Sequence, residues 1–277
     1  IATSGGHHPI SVTLWSLIVG FLVLSAGMAL RRRRPPFDRS HLTFYAIAGL
    51  LGTALPHALS FYAALHVPAG PRAIIFATIP LIVLALSVLL GVEKTEVRRF
   101  AGIALGFLGI VILFAPALDG SMGGVFWLLI ALGAAISYAV ENVYISLKQP
   151  EGLDTMTALW GMSLAAVAML APVALAVDPG FFEISLTGRA EMAMALVALV
   201  HLAAYAGFLV LIRGAGAVFA SQVSYIVTPA GILWGVVLLS EEITLIVAAS
   251  TALVLLGLAL IKPNADRKVR AEAQNRP

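Results

Sequence analysis

The residues from Pro71 to Val92 have the sequence PRAIIFATIPLIVLALSVLLGV, with a single charged side chain, Arg72, near the beginning. A helix needs about 20 apolar residues to cross the hydrocarbon layer of a bilayer, so this run is long enough to span it. It lacks the alternation of apolar and polar residues that a strand of a membrane barrel requires. The stretch therefore predicts a transmembrane α-helix, whose backbone groups satisfy one another within the helix.

The rest of the chain has the same character. Of its 277 residues 60% are hydrophobic and 11% are charged, and the mean hydropathy is +0.99. Such a chain has too little polar surface to coat a water-soluble globule, so we expect an all-α integral membrane protein in a lipid bilayer. The nine predicted spans are Ile10–Leu30, Leu42–Leu65, Pro71–Val92, Phe100–Ala117, Gly124–Leu147, Thr155–Val177, Met192–Ile212, Ala217–Leu239 and Ile243–Ile261.

Lysine and arginine are concentrated in alternate loops. If the first span runs towards the cytoplasm, all of the 17 Lys and Arg residues except Arg72 and Arg189 lie in cytoplasmic loops or in the C-terminal tail. This distribution follows the positive-inside rule and predicts a multi-pass protein of the plasma (inner) membrane with a cytoplasmic C-terminus. The run Arg31–Arg34 directly follows a span, so we interpret it as an anchor and expect no nucleic-acid partner.

Two parts of the chain resemble each other at an offset of 145 to 149 residues. Trp15 and Trp160 each lie early in a span. Glu93 lies 13 residues after Pro80, and Glu242 lies 13 residues after Pro229. Internal similarity at a fixed offset is typical of a duplicated architecture.

The repeat predicts two units of five helices. The helix Gly124–Leu147 precedes the Trp160 helix, but only the residues 1–9 precede the Trp15 helix, so we expect that a first helix is missing from this sequence. An odd number of helices in each unit gives the second unit the opposite orientation in the membrane, which is the inverted-repeat plan of secondary transporters. The predicted boundaries are 1–117 for the first repeat, 118–262 for the second and 263–277 for a basic cytoplasmic tail.

This pattern resembles the drug/metabolite transporter superfamily, in particular its EamA-like members with ten helices. The resemblance covers essentially the whole chain, although Ser240 stands where the family usually has glycine. It implies export of small metabolites such as amino acids or amines. The residues that carry it are Pro80, Pro229, the segments Leu89-Leu90-Gly91-Val92-Glu93 and Leu238-Leu239-Ser240-Glu241-Glu242, and the Leu-Gly pairs that begin at Leu108 and Leu256.

Glu141 is the acidic side chain that lies well inside a predicted span, where a charge costs on the order of 3 kcal/mol. Ser137 and Tyr138 precede it at helical spacing, so the three side chains share one face. We interpret this face as a substrate-binding or proton-carrying site. The alternatives are a carboxylate that extends to the cytoplasmic surface, or one paired structurally with Tyr144 or Asn142.

Two histidines occupy corresponding helices of the two halves. His57 follows Pro56, whose kink frees backbone carbonyls at membrane depth. His201 is followed one turn later by Tyr205. All three are candidates for contact with substrate or a proton, whereas a satisfied hydrogen bond between helices is the alternative for each histidine.

The span that begins at Ala217 has a polar first half. Gln222 and Tyr225 precede Pro229 there, and we include both among the substrate-binding candidates, with helix packing as the alternative. Glu93 and Glu242 are interpreted as residues that end their helices. The motif Gly102-x-x-x-Gly106 provides a close-packing surface that suits either intramolecular packing or a homodimer.

The sequence contains neither a phosphate-binding Gly-Lys loop nor a His-Glu-x-x-His zinc signature, so we predict no cofactor, no metal site and no enzymatic activity. Neutral, zwitterionic or cationic solutes are favoured, because no Lys or Arg lies near the middle of a span. The predicted function is a secondary transporter that works by alternating access, with Glu141 as a route to proton coupling. A channel or facilitator is the alternative, and it would need a continuous polar lining.

Overall fold

The computed structural model describes residues 8–92, 96–116, 124–178 and 189–260, and their regular structure is entirely helical. The prediction of an all-α membrane protein is confirmed. The helices are α1 Pro9–Leu30, α2 Arg39–Gly49, α3 Leu55–Ala64, α4 Ala69–Ala77, α5 Ile79–Leu89, α6 Val97–Phe114, α7 Gly124–Lys148, α8 Thr155–Val177, α9 Arg189–Ala215, α10 Ala217–Ser221, α11 Ser224–Leu239 and α12 Leu245–Leu260.

Eight helical segments of the described residues are long and apolar enough to cross a membrane. They correspond to the first eight predicted spans. The ninth, α12, has 16 residues and is shorter than predicted at its beginning. The hydroxyl of Thr244 accepts a hydrogen bond from the N–H of Val247 at 3.3 Å, so the helix is capped at Thr244 and Ile243 is left outside it.

Three of the spans are interrupted. A π-helical segment, Leu50–Ala54, joins α2 to α3 directly before Pro56, where a wider turn accommodates a residue without an N–H. The span of α4 and α5 breaks at Thr78, two residues before Pro80, and the Thr78 hydroxyl donates to the carbonyl of Ile75 at 2.6 Å. In the second half, Pro229 lies inside α11, and the break falls earlier, at Gln222.

The chain forms two compact units, each of which combines segments from both halves of the sequence. One contains Ile1–Phe61 and Leu147–Val210, and the other contains Tyr62–Ser146 and Leu211–Pro277. We call them unit 1 and unit 2. These units are not the predicted repeats. A repeat is a continuous half of the sequence, whereas a unit is a set of helices that pack together, so the repeat boundaries stay a prediction.

In unit 1, α8 packs against both α1 and α2. Glycines permit the close approach: a Cβ at Gly49 would lie 2.5 Å from the carbonyl oxygen of Met162, and one at Gly161 would clash with the ring of Tyr45. The indole N–H of Trp160 donates to the Ser25 hydroxyl at 2.9 Å and ties α8 to α1. Small residues at helix contacts are how membrane helices associate closely.

In unit 2, α6 and α12 form the most extensive helix pair. A Cβ at Gly257 would lie 2.6 Å from the carbonyl oxygen of Gly102 and 2.9 Å from the backbone N of Gly106, so the two backbones are in direct contact. The predicted Gly102-x-x-x-Gly106 surface is therefore used inside the unit, against the helix that the repeat predicts to be the counterpart of α6.

Asp154 caps the N-terminus of α8. Its Oδ1 accepts from the N–H of Met156 at 3.1 Å and of Thr157 at 3.3 Å, and its Oδ2 lies 2.6 Å from the guanidinium of Arg33. Burial raises the pKa of Asp154, but hydrogen bonds from Thr157 and the charge of Arg33 outweigh it, so the pKa lies below its ordinary value of 3.8. A carboxylate with a lowered pKa stabilises the fold at neutral pH.

We expect Asp154→Ala to lower the free energy of unfolding at pH 7 by about 1 kcal/mol, the usual cost of losing such a cap. Because the pKa is lowered on folding, this contribution is complete above the unfolded-state pKa and is lost as the pH falls through the lower folded-state value. Thermal unfolding in detergent between pH 7 and pH 3 would measure it. The difference from the wild type should shrink at the acid end. Glu151→Ala, at an exposed position, should leave the unfolding temperature at pH 7 unchanged.

Candidate functional site

Unit 1 encloses a cavity of about 200 Å³. Its walls come from α1, from α3 with the π-helical segment before it, and from α8 and α9. Most of the surface is apolar, and the fourteen lining residues include no aspartate, glutamate, lysine or arginine. The polar lining residues are Ser16, Thr53, His57, Ser163, His201 and Tyr205.

The two predicted histidines meet in this cavity. The ring centroids of His57 and His201 are 4.6 Å apart, and the rings are nearly perpendicular. The Nδ1–H of His57 donates to the backbone carbonyl of Thr53 at 2.7 Å. Neutral His57 therefore keeps its proton on Nδ1.

His201 supplies a second polar group. Its Nε2 is buried and has no hydrogen-bond partner among the described residues. The ring of Tyr205 lies one helical turn away, at a centroid distance of 5.6 Å. A buried imidazole nitrogen with unused hydrogen-bonding capacity is costly in a static protein, and a solute that enters the cavity could satisfy it.

The predicted Glu141 face lies in unit 2. Glu141 is completely buried and Ser137 and Asn142 nearly so. The ring of Tyr138 contacts that of Phe76 on α4, edge to face, with centroids 6.1 Å apart. A completely buried carboxylate does not extend to the membrane surface, so that alternative is wrong. Structural pairing and proton binding both remain compatible with this position.

The remaining candidates lie at the break of the span that begins at Ala217. Gln222 ends α10, and its N–H donates to the carbonyl of Phe219 at 3.1 Å. The backbone of Tyr225 belongs to α11, but its side chain is outside the described part of the structure. His57, His201 and Tyr205 thus share one cavity, whereas the Glu141 face and Gln222 belong to the other unit, and their roles stay predictions.

Comparison with known proteins agrees with this architecture. The model of the EamA-like transporter family matches residues 2–115 and 125–262. The chain belongs to the EamA-like transporter family. This confirms the resemblance that the sequence indicated, and the family is one of transporters.

Relatives within the family are transporters whose substrates are not named. The chain is 34% identical over 158 residues to the uncharacterized inner membrane transporter YedA of Escherichia coli K12, and the match covers 56% of this chain but only 47% of YedA, about half its length. It is 26% identical to the uncharacterized transporter YvbV of Bacillus subtilis, covering 78% of this chain and 70% of YvbV. A solved crystal structure has the same fold, with a TM-score of 0.65 and 22% identity over 92% of this chain and 89% of that chain.

The EamA-like pattern at the end of α11 includes a residue that the sequence analysis did not single out. Glu241 accepts hydrogen bonds from the N–H groups of Ala69 and Gly70, which begin α4. The neighbouring Glu242 is exposed, and Glu93 is outside the described residues. The pair of consecutive glutamates was visible in the sequence, but their different environments depend on the turn at Ser240, which has a positive φ of 54°.

Proposed function

We propose that the protein is a secondary transporter of the inner membrane that exports small metabolites by alternating access. The observation that carries the proposal is the uncharged cavity of unit 1. Its helices form two pairs that the repeat relates, α1 with α8 and α3 with α9, and each pair contributes one helix from each half of the chain. A substrate site between repeat-related helices is characteristic of secondary transporters.

Helix pairing in unit 2 supports the same inverted-repeat plan. There α6 packs against α12, α4 against α11 and α5 against α10. The first pair joins a helix of the first half to its predicted counterpart in the second half. The other two pairs are exchanged, because Pro80 and Pro229 make α11 the counterpart of α5 and α10 the counterpart of α4. Reciprocal pairing of this kind is what a two-fold axis between inverted repeats would generate.

The lining of the cavity favours a class of substrate. Its volume of about 200 Å³ exceeds that of a roughly 150 Å³ apolar cavity that can hold benzene, so a group of that size fits. No cationic side chain lines it, so nothing there neutralises a free anion, whereas the nitrogen of a neutral imidazole can accept a hydrogen bond from an ammonium group. The buried Nε2 of His201 can instead form a hydrogen bond with neutral, zwitterionic or cationic solutes such as amino acids or amines.

The test is flux through the protein reconstituted in liposomes, with a labelled panel of neutral, zwitterionic, cationic and anionic solutes of similar size. We expect saturable uptake of one of the first three classes, accelerated when the same unlabelled solute is present on the other side. Such counterflow is the signature of a carrier. Linear flux without counterflow would favour the channel alternative, and saturable flux of the anions alone would contradict the proposed substrate class.

A further inference from the structure

Glu241 binds a helix end that has no cap of its own. Its Oε1 lies 2.6 Å from the N of Ala69, and its Oε2 lies 2.9 Å from the N of Gly70. The N-cap residue of α4 is Pro68, whose side chain forms no hydrogen bond, and the first turn of α4 contains no acidic residue. The carboxylate therefore satisfies two N–H groups of α4 from 172 positions away in the chain, and it complements the positive end of the helix dipole.

The local backbone is built to aim this carboxylate. Ser240 adopts a left-handed conformation, with a φ of 54°, which is uncommon for a residue with a side chain. This turn ends α11 and directs Glu241 back towards the helix, where its N–H donates to the carbonyl of Gly235 at 3.2 Å. A Cβ at Gly235 would lie 2.8 Å from the Glu241 Oε2, so glycine leaves the space that the carboxylate occupies.

Below the carboxylate, α4 and α11 meet along small residues. A Cβ at Gly231 would lie 2.9 Å from the Cβ of Ala73, and a Cβ at Gly235 would lie 3.5 Å from the Cβ of Ala69. The two helices are therefore antiparallel, with a pair of small residues four positions apart on each. We call this contact the α4–α11 seam. At these points the two backbones approach closely because no large side chain lies between them.

The carboxylate is placed so that it can release the helix. Glu241 is half-buried rather than enclosed, so water can replace the two N–H groups when they move away. Arg72, one turn into α4, is close enough to interact electrostatically with Glu241. Both features favour an interaction that holds the helix ends together but can be reversed.

We propose that Glu241 is the latch of a gate: its carboxylate holds the N-terminus of α4 against the C-terminus of α11, and it releases α4 when this end of the seam opens during transport. The proposal rests on the proposed function, since a gate has a role only in a carrier that changes conformation. The seam joins a helix of the first half to one of the second half. Opening it would therefore separate the two repeats at this end of the protein.

The chain contains no cysteine, so a single cysteine reports on the seam without background. We would introduce Ala73→Cys and measure its rate of reaction with a membrane-impermeant maleimide, in detergent micelles where both ends of the protein are accessible. Adding Glu241→Gln should raise this rate about tenfold, the factor expected when a partly buried anion is removed from a helix N-terminus. Glu242→Gln, at the adjacent exposed glutamate, should leave the rate unchanged.

A second variant removes the partner instead of the latch. Ala69→Pro deletes one of the two N–H donors at the first position of α4, where proline suits the helix, and it should also raise the labelling of Cys at position 73. If Glu241→Gln does not fold, the labelling of the Ala69→Pro variant tests the latch instead. A cysteine introduced by Leu84→Cys, at a completely buried position of unit 2, should stay unlabelled in all variants, because the seam opens at one end only.

Equal labelling of Ala73→Cys in the parent, Glu241→Gln and Ala69→Pro backgrounds would overturn the latch. Simultaneous labelling at Leu84→Cys would also overturn it, because that result means general loosening of the unit. The experiment needs no substrate. A protein that shows the expected labelling but no carrier-type flux would therefore refute the proposed function and the role of the latch in transport, and would leave only a reversible cap on α4. Carrier-type flux with unchanged labelling would refute the latch alone.

Discussion

Gly257→Ala is expected to destabilise the protein more than a methyl group added at Gly106 or Gly207. The new Cβ would lie 2.6 Å from the carbonyl oxygen of Gly102 and 2.9 Å from the N of Gly106, and both are backbone atoms of α6. Backbone cannot rotate away as a side chain can, so the two helices must move apart along their whole contact. We expect a loss of about 2 to 3 kcal/mol, or a fall of roughly 5 to 10 °C in apparent Tm.

Thermal unfolding in detergent, together with size-exclusion chromatography, would measure this effect. Gly207→Ala is the matched control, because a Cβ at that position of α9 meets no atom within 4 Å. The control should be neutral or slightly stabilising, since alanine is the better helix former. Gly106→Ala should fall between the two, because the nearest atoms there belong to the side chain of Leu81, which can change rotamer. If Gly257→Ala proved as stable as the control, the close contact of α6 and α12 would be wrong.

The membrane spans could be predicted because the signal is local. Each run must be apolar over the thickness of a bilayer, and that requirement can be recognised one segment at a time. The interruptions were harder. Pro56 predicted a kink, but no break was predicted for the spans that contain Pro80 and Pro229. The first of these breaks at Thr78, two residues before Pro80, whereas the second breaks at Gln222 and Pro229 lies inside α11. A proline in a membrane helix can be accommodated when neighbouring groups satisfy the freed carbonyl, and those neighbours are not visible in the sequence.

The site could be predicted in part, for the same reason. Ser137, Tyr138 and Glu141 share a face because helical spacing alone decides it, and the burial of Glu141 followed from its depth in the span. The ring contact between His57 and His201 depends on how α3 and α9 pack against each other. The repeat indicated that these helices correspond, but it could not establish that they meet. Glu241, and not Glu242, binds the N-terminus of α4 because Ser240 adopts a left-handed conformation. Serine does not require that conformation, so the sequence could not show which glutamate turns towards α4.

The compact units could not be predicted from the repeat. The residues 62–146 and 211–277 form one of them, so helices distant in sequence pack together while consecutive helices can belong to different units. Similarity between two halves shows which helices correspond, but it does not show which helices touch. The contacts between α2 and α8, and between α6 and α12, depend on glycines that face a specific residue of the partner helix, so these glycines become informative only when both helices are known.

Glu141→Gln should have the largest effect on transport while leaving the fold intact. Glutamine has almost the same shape and can accept and donate hydrogen bonds at this completely buried position of α7. It cannot bind and release a proton, however. If Glu141 carries the coupling proton, accumulation driven by a pH gradient should fall about tenfold or more, because only uncoupled flux remains. Exchange of the same solute without a gradient should be affected much less, since binding and the conformational change persist.

Both rates would be measured in the same proteoliposomes, with and without an imposed pH gradient. Glu96→Gln provides the matched control: it removes an acid at an exposed position just before α6 and should change neither rate. Equal gradient-driven accumulation by Glu141→Gln and the wild type would assign Glu141 to structural pairing, the alternative that its neighbours Asn142 and Tyr144 offer. Loss of exchange as well as of accumulation would instead place the carboxylate in the binding of the solute itself, because a residue needed only for coupling leaves exchange running.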